Sequence, residues 1–253
     1  MSVLLGDGRG GFGAKTDFPT GSGPGSVAIG DLNGDGRPDL AVTNGVASTV
    51  SVLLGTGGSG FGTRTDFGTG TDPRSIAIED MSGDGKPDLV VANNGSNTVS
   101  VLLGNGAGGF GARTDFATGA QPTSVAIGDV NGDGIRDLAV ANANSGTASI
   151  LLGNGVGGFG GKTDYATGAG PWSVALGDLN DDGRADLVVV NAGDAAVSVL
   201  LGSGAGGFGG KTDYPAGGFP VAVAIGDLNS DGKADLAVAN LGGNTVSVLL
   251  GNG

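Results

Sequence analysis

Oxygen-bearing side chains recur at positions 1, 3, 5 and 9 of a short glycine-containing loop. In the first copy these positions are Asp31, Asn33, Asp35 and Asp39, and Gly36 at position 6 permits a sharp turn. This spacing wraps a loop around one hard cation, while water and the backbone carbonyl of position 7 complete roughly six to eight oxygen ligands. The loop therefore predicts a Ca²⁺ site. Mg²⁺ is the weaker candidate because it requires a tighter octahedron.

The loop occurs five times, so the sequence predicts about five Ca²⁺ ions, one per copy. The predicted ligands, with the carbonyl donor fourth in each group, are Asp31, Asn33, Asp35, Arg37 and Asp39; Asp80, Ser82, Asp84, Lys86 and Asp88; Asp129, Asn131, Asp133, Ile135 and Asp137; Asp178, Asn180, Asp182, Arg184 and Asp186; and Asp227, Asn229, Asp231, Lys233 and Asp235. Asp, Asn and Gly also form ordinary polar turns, but three carboxylates within nine residues repel one another unless a cation lies among them. Five copies in register favour metal binding.

The same opening positions occur in the EF-hand, which also needs a bidentate Glu at position 12 and flanking helices. Position 12 is valine in every copy of this chain: Val42, Val91, Val140, Val189 and Val238. No segment has a helical period or a capping box. The sequence therefore excludes an EF-hand.

The loops belong to a 49-residue repeat, which is the spacing between their first aspartates at 31, 80, 129, 178 and 227. In the first copy, turn residues separate four β-prone runs, A to D, at about residues 26–30, 39–43, 49–54 and 63–67. A four-stranded sheet must stack on copies of itself, around a ring or along a solenoid. The sequence predicts an all-β fold, a β-propeller of five four-stranded blades forming a single domain over residues 1–253.

The two ends of the chain suggest how the ring closes. Residues 2–6 and 247–251 have the same sequence, Ser-Val-Leu-Leu-Gly, so strand C occurs six times and strands A, B and D five times. We expect strand D near Thr16 to complete the blade containing Asp227, which removes an open edge and gives a closed monomer. The alternative is an open or intermolecular assembly that uses both copies of strand C.

Composition excludes several classes of function. The chain has no Cys and no His, so it lacks disulfides, thiol chemistry and the usual general base at neutral pH. Its net charge of −13 argues against nucleic-acid binding, which needs a basic surface. The longest apolar runs are too short to insert in a membrane. The first six residues show no signal peptide.

A second acid recurs in a Thr-Asp pair that follows Lys or Arg, at Asp17, Asp66, Asp115, Asp164 and Asp213. Fivefold repetition favours hydrogen bonding at a strand edge and local charge pairing over catalysis. No repeat carries a distinctive set of acid, base or arginine residues. The sequence therefore predicts that the protein is not an enzyme.

The residue before strand A varies most between copies: Gly25, Arg74, Thr123, Trp172 and Val221, each after proline. In a propeller these residues would line one mouth of the central channel, where ligands bind. Neutral variation in a solvated loop is the plainer interpretation. Trp172, the only tryptophan, could stack on a sugar or plug the channel.

The Gly-Phe-Gly elements at 11–13, 60–62, 109–111, 158–160 and 207–209, the aspartate loop, and the following Asp-Leu-Ala-Val or Asp-Leu-Val-Val resemble FG-GAP/VCBS repeats. These are the units of integrin-α-type β-propellers. The resemblance covers essentially the whole chain. It implies a Ca²⁺-stabilised propeller in an extracellular or cell-surface protein of adhesion, carbohydrate recognition or polysaccharide processing.

Three functions remain open. The near-uniform repeats favour a structural or binding scaffold, recently amplified or engineered from a consensus. The alternative is an extracellular adhesion or lectin-like module with a glycan or protein ligand. A polysaccharide-processing enzyme is the weakest of the three, because no repeat has its own catalytic set.

Overall fold

The computed structural model describes residues 1–58 and 60–253 as antiparallel strands joined by turns. No helix occurs in these two stretches, and therefore none that could cross a membrane. The first strands are β1 (Ser2–Val3), β2 (Thr16–Asp17), β3 (Pro24–Gly30), β4 (Asp39–Asn44), β5 (Thr49–Leu53), β6 (Gly55–Gly57), β7 (Gly60–Phe61), β8 (Thr65–Gly68), β9 (Pro73–Glu79), β10 (Asp88–Asn93), β11 (Thr98–Leu102) and β12 (Thr114–Ala117). The remaining strands are β13 (Pro122–Gly128), β14 (Asp137–Asn142), β15 (Thr147–Leu151), β16 (Thr163–Ala166), β17 (Pro171–Gly177), β18 (Asp186–Asn191), β19 (Ala196–Leu200), β20 (Thr212–Pro215), β21 (Pro220–Gly226), β22 (Asp235–Asn240) and β23 (Thr245–Leu249).

Each repeat forms one sheet, which we call a blade. Blades I to IV each have four strands in the order A-B-C-D, namely β3-β4-β5-β8, β9 to β12, β13 to β16, and β17 to β20. Blade V has three strands, β21-β22-β23, and β1 pairs with β2 in a separate half-blade. The all-β propeller architecture and the order of strands A to D are as predicted. Strand D begins two residues later in blade I than the sequence suggested.

Strand B is the centre of each blade. In blade I every residue from Asp39 to Asn44 is buried, because this strand has a partner strand on each side and a neighbouring blade against its face. Its run of Leu, Ala and Val suits a site that is covered on both faces.

The blades pack face to face through apolar clusters. Between blades I and II, the small and medium side chains Ala41, Val50 and Val52 of one face meet Leu89 and Val91 of the next. Equivalent clusters join blades II to III, III to IV and IV to V. We call the side facing the following blade the forward face and the opposite side the backward face.

Pairs of aromatic side chains also join neighbouring blades, at the outer side of the stack. Phe67, in strand D of blade I, meets Phe110 of blade II edge to face with ring centroids 5.2 Å apart. The other pairs of this kind are Phe18 with Phe61, Phe116 with Phe159, and Tyr165 with Phe208. The first of them stacks the half-blade on blade I.

The strand pairing predicted across the two ends of the chain is not formed in the described residues. Instead of joining the blade that contains Asp227, the strand at Thr16 pairs with β1 in the register Ser2↔Asp17 and Val3↔Thr16. This is the register that strands C and D adopt in blade I, where Ser51 pairs with Asp66. The hairpin partner is close in sequence, so pairing with it requires far less loop-closure entropy than pairing across the whole chain.

Candidate metal loops and channel mouth

The five aspartate loops each connect strand A to strand B. In blade I the loop covers residues 31–39 and is closed at its base by the pairing of Gly30 with Asp39. Gly34 and Gly36, at loop positions 4 and 6, have φ angles of 73° and 79°. Glycine adopts this left-handed conformation without strain, which explains its place in the motif. Loops IV and V carry Asp181 and Ser230 at position 4, with the same sign of φ.

Position 1 organises the loop. The carboxylate of Asp31 accepts hydrogen bonds from the amides of Gly34 at 2.8 Å, Asp35 at 3.1 Å and Gly36 at 2.8 Å. The amide of Gly36 contributes most to holding the pKa of Asp31 below its ordinary value. Position 1 is therefore an ordered, ionised carboxylate near neutral pH.

Position 3 contacts both position 1 and position 5. Asn33 Oδ1 accepts the amide of Asp35 at 3.0 Å, the same amide that Asp31 accepts, so the two oxygens converge. Asn33 Nδ2 in turn donates to Asp35 Oδ2 at 3.2 Å. In the second loop, Lys86 Nζ donates to Asp84 Oδ2 at 2.9 Å and is the largest cause of the lowered pKa of Asp84.

Position 9 lies at the base of the loop and is fully buried. Asp39 Oδ2 accepts the amide of Leu32 at 2.8 Å, and Asp39 Oδ1 accepts the amide of Gly55 at 2.6 Å. The same two bonds recur at Asp88, Asp137, Asp186 and Asp235. Burial raises the pKa of Asp88 and Asp137, and the other acids of each loop raise it further. Position 9 thus fastens the A–B loop to strand C, a structural role that the ligand pattern did not predict.

The structure brings the side chains of positions 1, 3 and 5 together in one loop and places position 9 at its base. Position 7 contributes its amide, which Asp35 Oδ1 accepts from Arg37 at 2.9 Å, and its carbonyl stays a predicted ligand. Within residues 1–58 and 60–253, no three acidic side chains form a ready-made metal cluster. The side chains hydrogen-bond within the loop instead. The donor set still fits a hard cation, because every proposed ligand is oxygen.

The loops also connect neighbouring blades. Position 2 of the first three loops is apolar and buried between blades, as Leu32 shows at 1% exposure. Its carbonyl accepts the amide of Gly108 from blade II at 3.2 Å. Met81 and Val130 accept Gly157 and Gly206 in the same way. An ion that orders these loops would therefore also brace the blade interfaces.

The recurrent Thr-Asp acids make the strand contacts predicted for them. Ser51 Oγ on strand C donates to Asp66 Oδ1 on strand D at 2.7 Å, and it also accepts Asn44 Nδ2 at 2.8 Å. Arg64 Nε lies 3.1 Å from Asp66 Oδ1. The other four acids have a matching serine and a matching Lys or Arg, at Asp17, Asp115, Asp164 and Asp213. This arrangement fastens strand D to strand C.

Four of the five variable residues meet at one place. Strand A begins two residues earlier than predicted, so the variable residue is its second member and does not precede it. Gly25, Arg74, Thr123 and Trp172, from blades I to IV, line a single cavity of about 380 Å³ together with Asn94, Gln121 and Ala143. We call this cavity the channel mouth. Val221 of blade V lines a different cavity, so the prediction that all five positions share one mouth is wrong for that blade.

The sequence analysis missed two features. The residue before the first proline of each strand A has a left-handed backbone, at Gly23, Asp72, Gln121, Gly170 and Phe219. The buried asparagine of each repeat bonds to the strand C serine, at Asn44, Asn93, Asn142, Asn191 and Asn240. The asparagine recurs every 49 residues, which was a signal for the second feature, whereas the residue before the proline differs between repeats.

Comparison with known proteins identifies the family of the repeat. The profile of the FG-GAP-like repeat family matches five overlapping stretches, residues 1–42, 31–91, 80–140, 129–189 and 178–238. No curated protein sequence matches the chain.

Several solved structures share the fold. A lectin from Agrocybe aegerita that recognises non-reducing terminal N-acetylglucosamine is 21% identical, with a TM-score of 0.66 over 99% of this chain and 74% of that one. Streptogramin B lyase is 18% identical, with a TM-score of 0.61 over 92% and 70%. A catalytically inactive histidine-to-alanine variant of virginiamycin B lyase from Staphylococcus aureus is 13% identical, with a TM-score of 0.61 over 100% and 74%. Identities this low establish a common fold alone.

Proposed function

The chain belongs to the FG-GAP-like repeat family, and from that premise we propose that it is a Ca²⁺-stabilised β-propeller serving as a structural or binding scaffold. The observation that carries this proposal is that side-chain oxygens of Asp31 and Asn33 accept the same amide, and Asn33 also contacts the Asp35 carboxylate, in a loop that joins two blades. Amplification of one repeat, natural or engineered, accounts for the near-identical copies.

Charge supports a cation in these loops. In the second loop, burial raises the pKa of Asp88, and the nearby carboxylates of Asp80 and Asp84 raise it further, so charge repulsion at this buried acid opposes folding. Five divalent ions would add ten positive charges to a chain with a net charge of −13. Cations bound in the loops would therefore relieve local and overall repulsion.

Each loop would hold the ion through the side chains of positions 1, 3 and 5, with the carbonyl of position 7 and the Asp of position 9 completing the set. A bound Ca²⁺ supplies charge neutralisation and a fixed point for the loop oxygens. An ion that binds only the folded state stabilises it by about 2.7 kcal/mol at 100 times its Kd. Several sites of this kind would make Ca²⁺ a major source of stability.

We infer that the scaffold is not an enzyme. The architecture carries enzymes elsewhere, as the two lyases show. The lyase variant with its histidine replaced is catalytically inactive, and this chain has no histidine. We also infer an extracellular setting, where calcium is abundant enough for modules that bind it with Kd values of roughly 10⁻⁴ to 10⁻³ M.

Calorimetric titration with Ca²⁺ tests the proposal. We expect about five sites, a melting temperature that falls on chelation, and the loss of one site in Asp35→Ala, because this change removes a carboxylate from one loop. The matched control is Asp66→Ala, which removes an acid of strand D in the same blade and should leave the number of sites unchanged. Fewer than two specific sites, or an unchanged melting temperature in chelator, would contradict the proposal.

A second candidate function is a lectin-like or adhesion module. It is favoured by the channel mouth, where residues that differ between otherwise similar repeats line one cavity. Such variation on a uniform scaffold is typical of binding surfaces.

A further inference from the structure

We propose that the channel mouth binds a neutral pyranose residue of a glycan, with Trp172 as its stacking platform. The cavity of about 380 Å³ falls within the range of roughly 300–1,000 Å³ that is usual for small-ligand sites. This inference specifies the ligand of the second candidate function. It depends on the propeller fold and not on the number of Ca²⁺ ions.

Two exposed aromatic rings lie side by side: Trp172, which lines the cavity, and Phe219, which lies next to it. Trp172 is 41% exposed and Phe219 is 44% exposed, and their ring centroids are 5.9 Å apart. Side chains of this size are normally buried, so leaving two neighbouring faces in water sacrifices hydrophobic stabilisation. Trp172 lines the cavity and belongs to none of the apolar clusters between the blades described above. Its exposed face can cover the apolar C–H face of a sugar ring.

Polar groups that suit sugar hydroxyls line the same cavity as Trp172. Arg74 donates from Nε at 3.0 Å and from Nη2 at 2.9 Å to the same oxygen of Asp72, which leaves the second Asp72 oxygen and further guanidinium N–H groups for a ligand. Gln121 and Asn94 add carboxamides to the lining. Donors and acceptors held around an aromatic face are what a hydroxyl-rich ring requires.

The backbone at the mouth is strained where these side chains are placed. Asp72, Gln121 and Phe219 have φ angles of 51°, 55° and 49°, a left-handed conformation that side chains disfavour. The equivalent positions in two other repeats are Gly23 and Gly170, which adopt it freely. Three repeats therefore carry a disfavoured backbone where glycine is compatible with the fold, as expected for residues kept for binding.

Charge selects a neutral sugar over an acidic one. Arg74 is compensated by Asp72, so the mouth offers no unpaired cation for a carboxylate or sulfate. The net charge of −13 repels anionic glycans over longer distances. An acidic peptide is disfavoured for the same reason.

Binding to an array of immobilised neutral and acidic glycans, followed by calorimetry with the methyl pyranosides of the sugars that bind, tests the proposal. We expect one or more neutral glycans to bind the intact chain, and Trp172→Ala to weaken binding at least tenfold. Trp172→Phe should retain most of the affinity, because it keeps an aromatic face. The matched control is Tyr214→Ala, which removes an exposed aromatic residue of strand D outside the cavity and should leave binding unchanged.

Gln121→Gly separates a binding role from a structural one. It relieves the left-handed backbone as Gly23 and Gly170 do, so the melting temperature should stay the same or rise while sugar affinity falls several-fold. Absence of neutral glycan binding, preference for acidic glycans, or equal binding by Trp172→Ala would overturn the proposal. Glycan binding without the expected Ca²⁺ sites would refute the calcium role and leave this inference intact.

Discussion

The forward face of a blade is buried at some positions in this molecule and exposed at another. Between blades it is a closed apolar interface, whereas on the forward face of blade V it is exposed. Leu32 at loop position 2 of blade I is 1% exposed, and its counterpart Leu228 in blade V is 53% exposed. Val52 on strand C is 2% exposed, and Val248 is 55% exposed.

The backward face of blade I shows a partial version of the same contrast. There, Val27 and Ile29 on strand A are exposed, while Leu40 and Val42 on strand B are buried. The half-blade beside them consists of the C and D strands β1 and β2 only. Sequence identity between repeats therefore does not determine burial, which depends on the strands of the neighbouring blade. Stability resides in the interfaces, as in other repeat proteins.

Substituting Leu32 and Leu228 tests this contrast with the largest expected effect. Leu32→Ala should lower the free energy of unfolding by about 2–5 kcal/mol, because it leaves a cavity between two blades. Leu228→Ala should cost less than about 1 kcal/mol, because half of that side chain is already in water. Urea denaturation of both variants at equal protein concentration measures the difference.

If Leu32→Ala and Leu228→Ala lower the free energy of unfolding equally, the comparison fails, because the forward face of blade V must then be covered in solution. Analytical ultracentrifugation would identify what covers it. The mass of a single chain would indicate closure within the protein, as the prediction of a monomer requires, and a larger mass would indicate a second copy.

The next largest effect is expected from comparing two acids of the second aspartate loop, Asp88 at position 9 and Asp84 at position 5. In chelator, Asp88→Ala should lower the free energy of unfolding by about 2–4 kcal/mol, because the buried amide of Met81 and the partly buried amide of Gly104 lose their acceptor. Asp84→Ala removes an exposed carboxylate of the same loop and should have little effect under these conditions. Thermal melts of both variants in EDTA measure this. Similar melts for both would show that position 9 is not the structural member of the loop.

The serine of strand C offers a smaller contrast between an internal and a terminal blade. Ser100 is buried and joins Asn93 to Asp115, so Ser100→Ala should cost about 1–2 kcal/mol. Within the described residues, the side chain of Ser247 in blade V hydrogen-bonds to Asn240 and to no strand D acid, so Ser247→Ala should cost under about 0.5 kcal/mol. A large effect at Ser247, measured by denaturation, would indicate that strand C of blade V has a strand D partner in solution.

The smallest expected effect is a pH dependence. Hydrogen bonds from Lys211 and then from Ser198 hold the pKa of Asp213 below its ordinary value of 3.8. A lowered pKa contributes stability that is present above pH 3.8 and lost as the pH falls through the folded-state pKa. Asp213→Asn should therefore melt slightly below the parent protein at pH 6 and converge with it at strongly acid pH. A constant difference at all pH values would contradict this assignment.

Much of the fold follows from periodicity. The 49-residue recurrence and the turn residues predicted strand B of blade I to within one residue, because apolar alternation and glycine placement are local signals. The pairing of β2 was not predictable in this way. Strand D near Thr16 could join either of two identical strand C sequences, and only the three-dimensional path of the chain chooses between them.

The site was predicted less completely than the fold. The spacing of Asp31, Asn33 and Asp35 identified residues that hydrogen-bond within one loop, and their binding of Ca²⁺ stays a prediction. The pattern could not show that Asp39 has both carboxylate oxygens bonded to backbone amides, because one of them belongs to Gly55, sixteen residues away. The strained backbone at Gln121 is likewise a consequence of the surrounding sheet.

The edge-to-face aromatic pairs have a consequence for how such a gene can change. Phe18 and Phe61 are 43 residues apart, and the same interval separates Phe67 from Phe110, Phe116 from Phe159, and Tyr165 from Phe208. Recombination between two repeats at equivalent codons removes or adds one period and leaves every remaining interval unchanged. The new junction then brings together two surfaces that already fit. The number of blades can thus change by whole repeats without repacking the interfaces between blades, so propellers of different size can arise at little cost to each interface.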